Sequence, residues 1–220
     1  LRAKKMIFPQ LKSPEETFIV FNGNRFDPRK RLDLTMSAFA KFANNKNEHV
    51  KLYLHTPMLE QQDGNIVDNL AKVYGIKDRI LRLPDSRGKG IVDNKTLNLI
   101  YNACDIGINT CEGEGWGLVS CEHAATGAPQ IVPAHTSFPE IWESAAVLMP
   151  SKGTKPVSYS NHYMFETEEQ EIVDALETLY NNQQMRTTLA VAGYRRMNKA
   201  DFNWATITTQ WEGLLCTLVA

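Results

Sequence analysis

The chain has 220 residues, of which 43% are hydrophobic and 22% charged, an ordinary water-soluble composition that can bury a full core without disulfides or metals. Lys and Arg total 24 against 25 Asp and Glu, so the overall basic footprint needed for nonspecific binding to nucleic acid or anionic membranes is missing. No apolar run approaches the roughly 18 residues of a membrane span and no signal peptide is recognisable, so no transmembrane segment and a cytoplasmic location are expected.

In chain order, residues 1–14 carry cations and two prolines, Pro9 and Pro14, and read as a linker or tail, which leaves 15–220 as one domain. Residues 17–21 form a short apolar run without alternation, as expected of a strand buried on both faces of a parallel sheet. Gly23 ends it. Leu32, Met36, Phe39, Ala40 and Ala43 then recur at helical spacing until the polar stretch at 44–47. The unit repeats: strands at 50–55, 79–83, 106–109 and 130–132 alternate with helices at 66–74, 96–103 and 118–126. A weaker strand at 146–149 precedes an apparent insertion at 151–166, and helices at 169–180, 185–198 and 204–218 close the chain. Parallel strands need long crossovers, so this alternation predicts an α/β, Rossmann-like parallel sheet with helices on both faces. Ligands of such folds bind at the carboxyl ends of the strands. Cys104, Cys111, Cys121 and Cys216 lack both CxxC pairing and zinc-ligand spacing to a histidine, and are expected to be free thiols. The chain begins at Leu1 rather than at a methionine, and is expected to be a piece of something longer.

Three loops after strands carry chemistry. The first, residues 22–31, places Gly23 beside Arg25, Arg29, Lys30 and Arg31. A glycine lets backbone approach a ligand closely, and Arg25 and Lys30 suit a diphosphate, one as a planar fork and the other as a point charge. The second, residues 111–118, alternates Gly113, Gly115 and Gly117 around Glu114 and Trp116 before a helix whose free N–H groups make an anion seat. The GxGxxG spacing fails at Leu118 and no Walker motif occurs, which disfavours dinucleotide and P-loop readings. Glu114 in the loop and Glu122 in the helix form the carboxylate pair of interest. The third loop, residues 132–140, holds His135, a candidate acid or base.

Together these residues resemble the carboxyl-terminal, nucleotide-sugar-binding half of GT-B glycosyltransferases, in particular the retaining family 4 group. The likeness is carried by Glu114-Gly115-Trp116-Gly117-Leu118, a second glutamate, Glu122, after seven intervening residues, and Gly127-Ala128-Pro129, with Arg25, Lys30 and a late Phe202-Asn203-Trp204 in matching places. Trp116 stands where that family usually has Phe, and Thr136-Ser137-Phe138 replaces its Gly-rich turn.

The resemblance implies the following roles. Arg25 and Lys30 neutralise the donor diphosphate, with Gly23 giving it room, and the backbone around Gly115, Trp116, Gly117, Leu118 and Val119 contacts its oxygens or the sugar. Glu114 flanks the transferred sugar, so that Glu114, Arg25 and Lys30 form the catalytic set. Glu122 bonds the ribose, and Pro84 lies in the loop against the base. The donor would be a UDP- or GDP-sugar and the activity hexosyl transfer. No metal and no separate cofactor are implied, no nucleic acid is a partner, and an acceptor-binding amino-terminal domain is missing, so the isolated domain would be inactive alone. A noncatalytic nucleotide-binding module and a nucleotide-sugar epimerase of GT-B architecture are the alternatives.

Overall fold

A computed structural model describes residues 1–56, 63–83, 91–153 and 163–219. Its centre is a six-stranded sheet of β1 (Phe18–Asn22), β2 (Val50–Leu54), β3 (Ile80–Leu81), β4 (Ile106–Ile108), β5 (Gln130–Pro133) and β6 (Val147–Met149). All neighbouring pairs are parallel, in the order β3-β2-β1-β4-β5-β6. The continuous apolar run of β1 has its reason in this arrangement. Ile19 and Phe21 pack into the layer that holds Tyr101, and Val20 into the opposite layer with Met36 and Phe39.

The crossovers supply the helices. α2 (Leu32–Ala43) turns its apolar stripe of Leu32, Met36, Phe39 and Ala43 onto one face of the sheet, where α7 (Glu169–Asn181) packs beside it through Ile172, Leu176 and Leu179. α3 (Asp63–Val73) joins them with Val67 and Ala71. On the other face lies α4 (Asn94–Ala103), which starts where the Asp93 carboxylate accepts the Thr96 N–H at 2.7 Å. α5 (Leu118–Ala124), α6 (Phe138–Trp142) and α8 (Gln183–Met197) enclose a third cluster built on Val132, Phe138 and Trp142. The strands and helices expected from the sequence are present, with ends shifted by a few residues.

Residues 1–14 are not a linker. They contain α1 (Arg2–Ile7), which packs on α4 and buries Ile7 and Phe8 with Tyr53, Ile100 and Ala103. Lys4 is itself buried, and its ammonium donates to Thr17 O at 2.6 Å and to the Asp105 carboxylate at 2.7 and 2.8 Å. The cations that suggested a tail include one folded into the core, so α1 belongs to the same compact unit as the sheet.

The expected insertion at 151–166 begins and ends as a two-stranded ribbon, β7 (Lys152–Gly153) paired antiparallel with β8 (Phe165–Glu166). The last helix, α9 (Trp204–Val219), leaves Trp204, Trp211, Leu214, Leu215 and Leu218 exposed. Among the described residues no helix is long and apolar enough to cross a membrane. The four cysteines are free thiols.

Candidate active site

Strand order decides where the site lies. The sheet runs outward from β1 in one direction and from β4 in the other, and a crevice opens at that switch point. The loops after β1 and β4 are those that carry Arg25, Lys30 and Glu114. They meet in a cleft of about 300 Å³ lined by Gly23, Arg25, Lys30, Glu114, Gly117 and Val119, with Asn24, Arg29, Trp116 and Leu118 completing it. Gly115 stands in the same loop, with open space where a side chain would be.

Two glycines are dictated by geometry. At Gly117 the backbone has φ of +82°, and a Cβ would stand 2.5 Å from Phe138 Cε1. At Gly23 a Cβ would come within 2.6 Å of Phe21 and 2.8 Å of Val119, so only a bare backbone lets the first loop sit against α5.

The cation loop is sewn to the glutamate loop residue by residue. Lys30 Nζ forms an ion pair with Glu114 Oε2, and both side chains are largely shielded from solvent. Arg29 donates from Nη1 to Gly113 O, while Arg29 O accepts the Glu112 N–H at 2.8 Å. Arg31 Nη1 bonds Glu112 Oε1 at 2.8 Å and its guanidinium also pairs with Asp33, contacts that raise its pKa further above an already high value. Beneath them, Thr110 Oγ1 donates to Lys30 O and Arg31 O at 3.1 and 2.9 Å and lies 2.7 Å from Thr35 Oγ1, which accepts from Asn22 Nδ2 at 2.9 Å. A buried polar network therefore fixes the turn from which Lys30 projects.

The family model described as glycosyl transferases group 1 matches residues 3–196. The chain belongs to that family. Its fold is also that of solved GT-B structures. Sucrose-phosphate synthase from Thermosynechococcus elongatus superposes over 100% of this chain and 49% of its own, with a TM-score of 0.75 and 21% identity. Anabaena HepE, solved with UDP and glucose, gives a TM-score of 0.72 at 18% identity, over 98% of this chain and 52% of its own. The C-terminal domain of a Francisella tularensis group 1 family protein, LpcC, gives a TM-score of 0.62 at 19% identity, covering 82% and 83% of the two chains. The chain thus spans about half the length of the first two structures. No curated protein matches it.

Within this glycosyl transferase domain, one expected site residue stands apart. Glu122 does not line the cleft of Lys30 and Glu114. Its carboxylate accepts the Tyr101 hydroxyl proton at 2.7 Å, and it borders a separate apolar cleft of about 610 Å³ with Cys121, Met197 and Phe202. Burial and the bond to Glu122 push the Tyr101 phenol pKa well up. The two clefts share Trp116 and Leu118 at their border, and Trp116 meets Phe202 edge-on at 5.5 Å. Pro84 lies outside the described residues.

His135 is not a solvated loop residue. It is 4% exposed and stacks on Phe165 at 4.9 Å, and burial lowers its pKa, which favours the neutral ring. Its Nε2 donates to Cys111 O at 2.9 Å, which ties the third loop to the second. Sequence reasoning passed over Arg29, Thr136 and Ser137. Arg29 stands within a run of cations whose members look alike in sequence. The polar, Pro-bounded loop after β5 was a signal for Thr136 and Ser137, but it gave no residue-level role.

Proposed function

We propose that this chain is the donor-binding half of a retaining, family 4 type hexosyltransferase that takes a UDP- or GDP-sugar. The observation that carries this reading is the convergence of Arg25, Lys30, Glu114 and the backbone of Gly117–Val119 on one cleft at the sheet's switch point. HepE, a protein of the same fold, has been solved with UDP-glucose.

Breaking the bond between a sugar and a diphosphate builds negative charge on the leaving oxygen and positive character on the anomeric carbon. In this reading Arg25, Lys30 and the amides at the start of α5 hold the diphosphate, and preorganised donors of this kind contribute about 2.7–4 kcal/mol each. Glu114 stands on the sugar side, where a carboxylate bonds hydroxyls and offsets the developing positive charge. Glu122 serves the ribose, reached past Trp116, and the base lies toward the loop that contains Pro84. No metal ion has a role. Acceptor binding belongs to a further domain, so the chain alone binds donor with little turnover.

Calorimetric titration of UDP, GDP and ADP tests the reading. Binding of one nucleotide that Arg25→Ala weakens about tenfold or more, as the loss of a charged hydrogen-bonding partner entails, supports it. Absence of binding by all three favours a noncatalytic module instead.

A further inference from the structure

We infer that Thr136 is the positioning residue for Glu114: its hydroxyl fixes the backbone from which the Glu114 carboxylate is aimed at the donor sugar. The inference rests on the donor-site reading above, and it separates the sugar end of the site from the diphosphate end.

Three observations carry it. First, Thr136 has φ of +48°, a left-handed conformation that a β-branched residue rarely adopts and that glycine would take freely. Such outliers persist where the surroundings hold them for a purpose. Second, the neighbours of Thr136 determine which way its hydroxyl points. His135 Nε2 faces a carbonyl, Cys111 O, and must carry the proton, so Nδ1 is an acceptor and takes the Thr136 hydroxyl proton at 3.2 Å. That leaves the Thr136 oxygen to accept the Glu114 N–H at 3.3 Å. Third, Ser137 Oγ donates to Glu114 O at 3.1 Å, so both peptide groups of Glu114 are held by side chains from the loop after β5. Phe165, stacked on His135, donates its own N–H to Glu112 O at 2.9 Å and closes the other side of the same turn. The diphosphate ligands Arg25 and Lys30 belong to a different loop and make none of these bonds.

The test compares Thr136→Val, which keeps shape and loses the hydroxyl, with Thr136→Ser, which restores it, in the full chain. Amide hydrogen exchange reads the Glu114 N–H, and calorimetry reads UDP, GDP, UDP-glucose and GDP-mannose. The expected result for Thr136→Val is faster exchange at Glu114 and about fivefold to tenfold weaker binding of the nucleotide-sugar, the effect of one lost hydrogen bond. Binding of the matching nucleoside diphosphate stays unchanged or tightens, and Thr136→Ser recovers both readouts. Unchanged exchange at Glu114 overturns the inference, and so does equal weakening of diphosphate and nucleotide-sugar, which is the mark of a merely structural role. If the unsubstituted chain binds none of the probes, the donor-site reading falls, while the exchange data still decide whether Thr136 holds Glu114.

Discussion

The ammonium of Lys30 and the carboxylate of Glu114, 84 residues apart in sequence, neutralise one another across the cleft. In the proposed donor-site reading, a diphosphate entering that cleft competes with Glu114 for Lys30. Glu114→Gln should therefore tighten binding of the nucleoside diphosphate, by about fivefold if the pair contributes about 1 kcal/mol. Lys30→Ala should weaken it roughly tenfold to a hundredfold, as expected for a hydrogen bond to a charged group. Titration of both variants checks the pair of signs. A Glu114→Gln variant that loses as much affinity as Lys30→Ala would show that the carboxylate is no competitor.

The Thr110 hydroxyl holds the backbone of Lys30 and Arg31 from below, inside a buried network with Thr35 and Asn22. Thr110→Val keeps the volume and leaves Lys30 O and the Thr35 hydroxyl short of a partner, while Arg31 O keeps the Thr35 N–H at 3.1 Å. It should cost about 1–3 kcal/mol of stability and lower nucleotide affinity, because Lys30 no longer projects from a fixed turn. Urea unfolding and calorimetry on one preparation read the two effects. Full retention of affinity alongside the stability loss would separate the network from the site.

The alternation of apolar runs and helical stripes made the parallel sheet legible, because β1 and α2 each carry a burial pattern that only one type of element satisfies. The site loops were legible because ligands of such folds bind at the carboxyl ends of the strands, whereas the meeting of the loops after β1 and β4 follows from the strand order, which the sequence does not give. Glu122 was harder to place. Sequence fixes its helical position relative to Leu118 but not which neighbour it meets, and Tyr101 from α4 takes its carboxylate. Residues 1–14 were misread because Lys4 is a cation, and composition cannot tell a solvated lysine from one whose partner, Asp105, lies 101 residues away.

That partly buried pair carries its own expectation. Asp105 receives Lys4 Nζ at 2.7 Å and the Ile19 N–H at 2.7 Å, joining α1 to the first strand and to the turn before β4. Asp105→Ala strands a shielded ammonium and a strand amide, and removing one member of such a pair costs about 3–5 kcal/mol. The side chain of Asp105 is 30% exposed, which moves the expectation to the lower end, about 3 kcal/mol. Lys4→Met combined with Asp105→Asn should recover part of the loss, since no unpaired charge remains. Thermal and urea denaturation of the single and double variants measure it. Near-wild-type stability of Asp105→Ala would mean that α1 is only loosely held after all.

His123 gives the domain a pH dependence of definite sign. Its ring is fully buried, edge-on to Phe21 at 4.8 Å and stacked near Tyr101 at 5.6 Å, with Nδ1 facing Gln130 Nε2 at 3.1 Å. Burial pushes its pKa down from 6.5 to about 4. Above pH 6.5 neither the folded nor the unfolded chain protonates it, and it adds no slope. Between 6.5 and 4 the unfolded chain takes up the proton and the folded one does not, so stability falls as pH falls. Each pH unit crossed in that window costs about 1.4 kcal/mol, so the loss reaches about 2 kcal/mol by pH 5 and on the order of 3 kcal/mol below pH 4. His123→Gln lowers stability at neutral pH through lost ring contacts, but it should also flatten the profile between pH 6.5 and 5, where most carboxylates remain ionised. Urea unfolding across pH 7.5 to 5 compares the slopes, and parallel curves for the two proteins would place the acid sensitivity elsewhere.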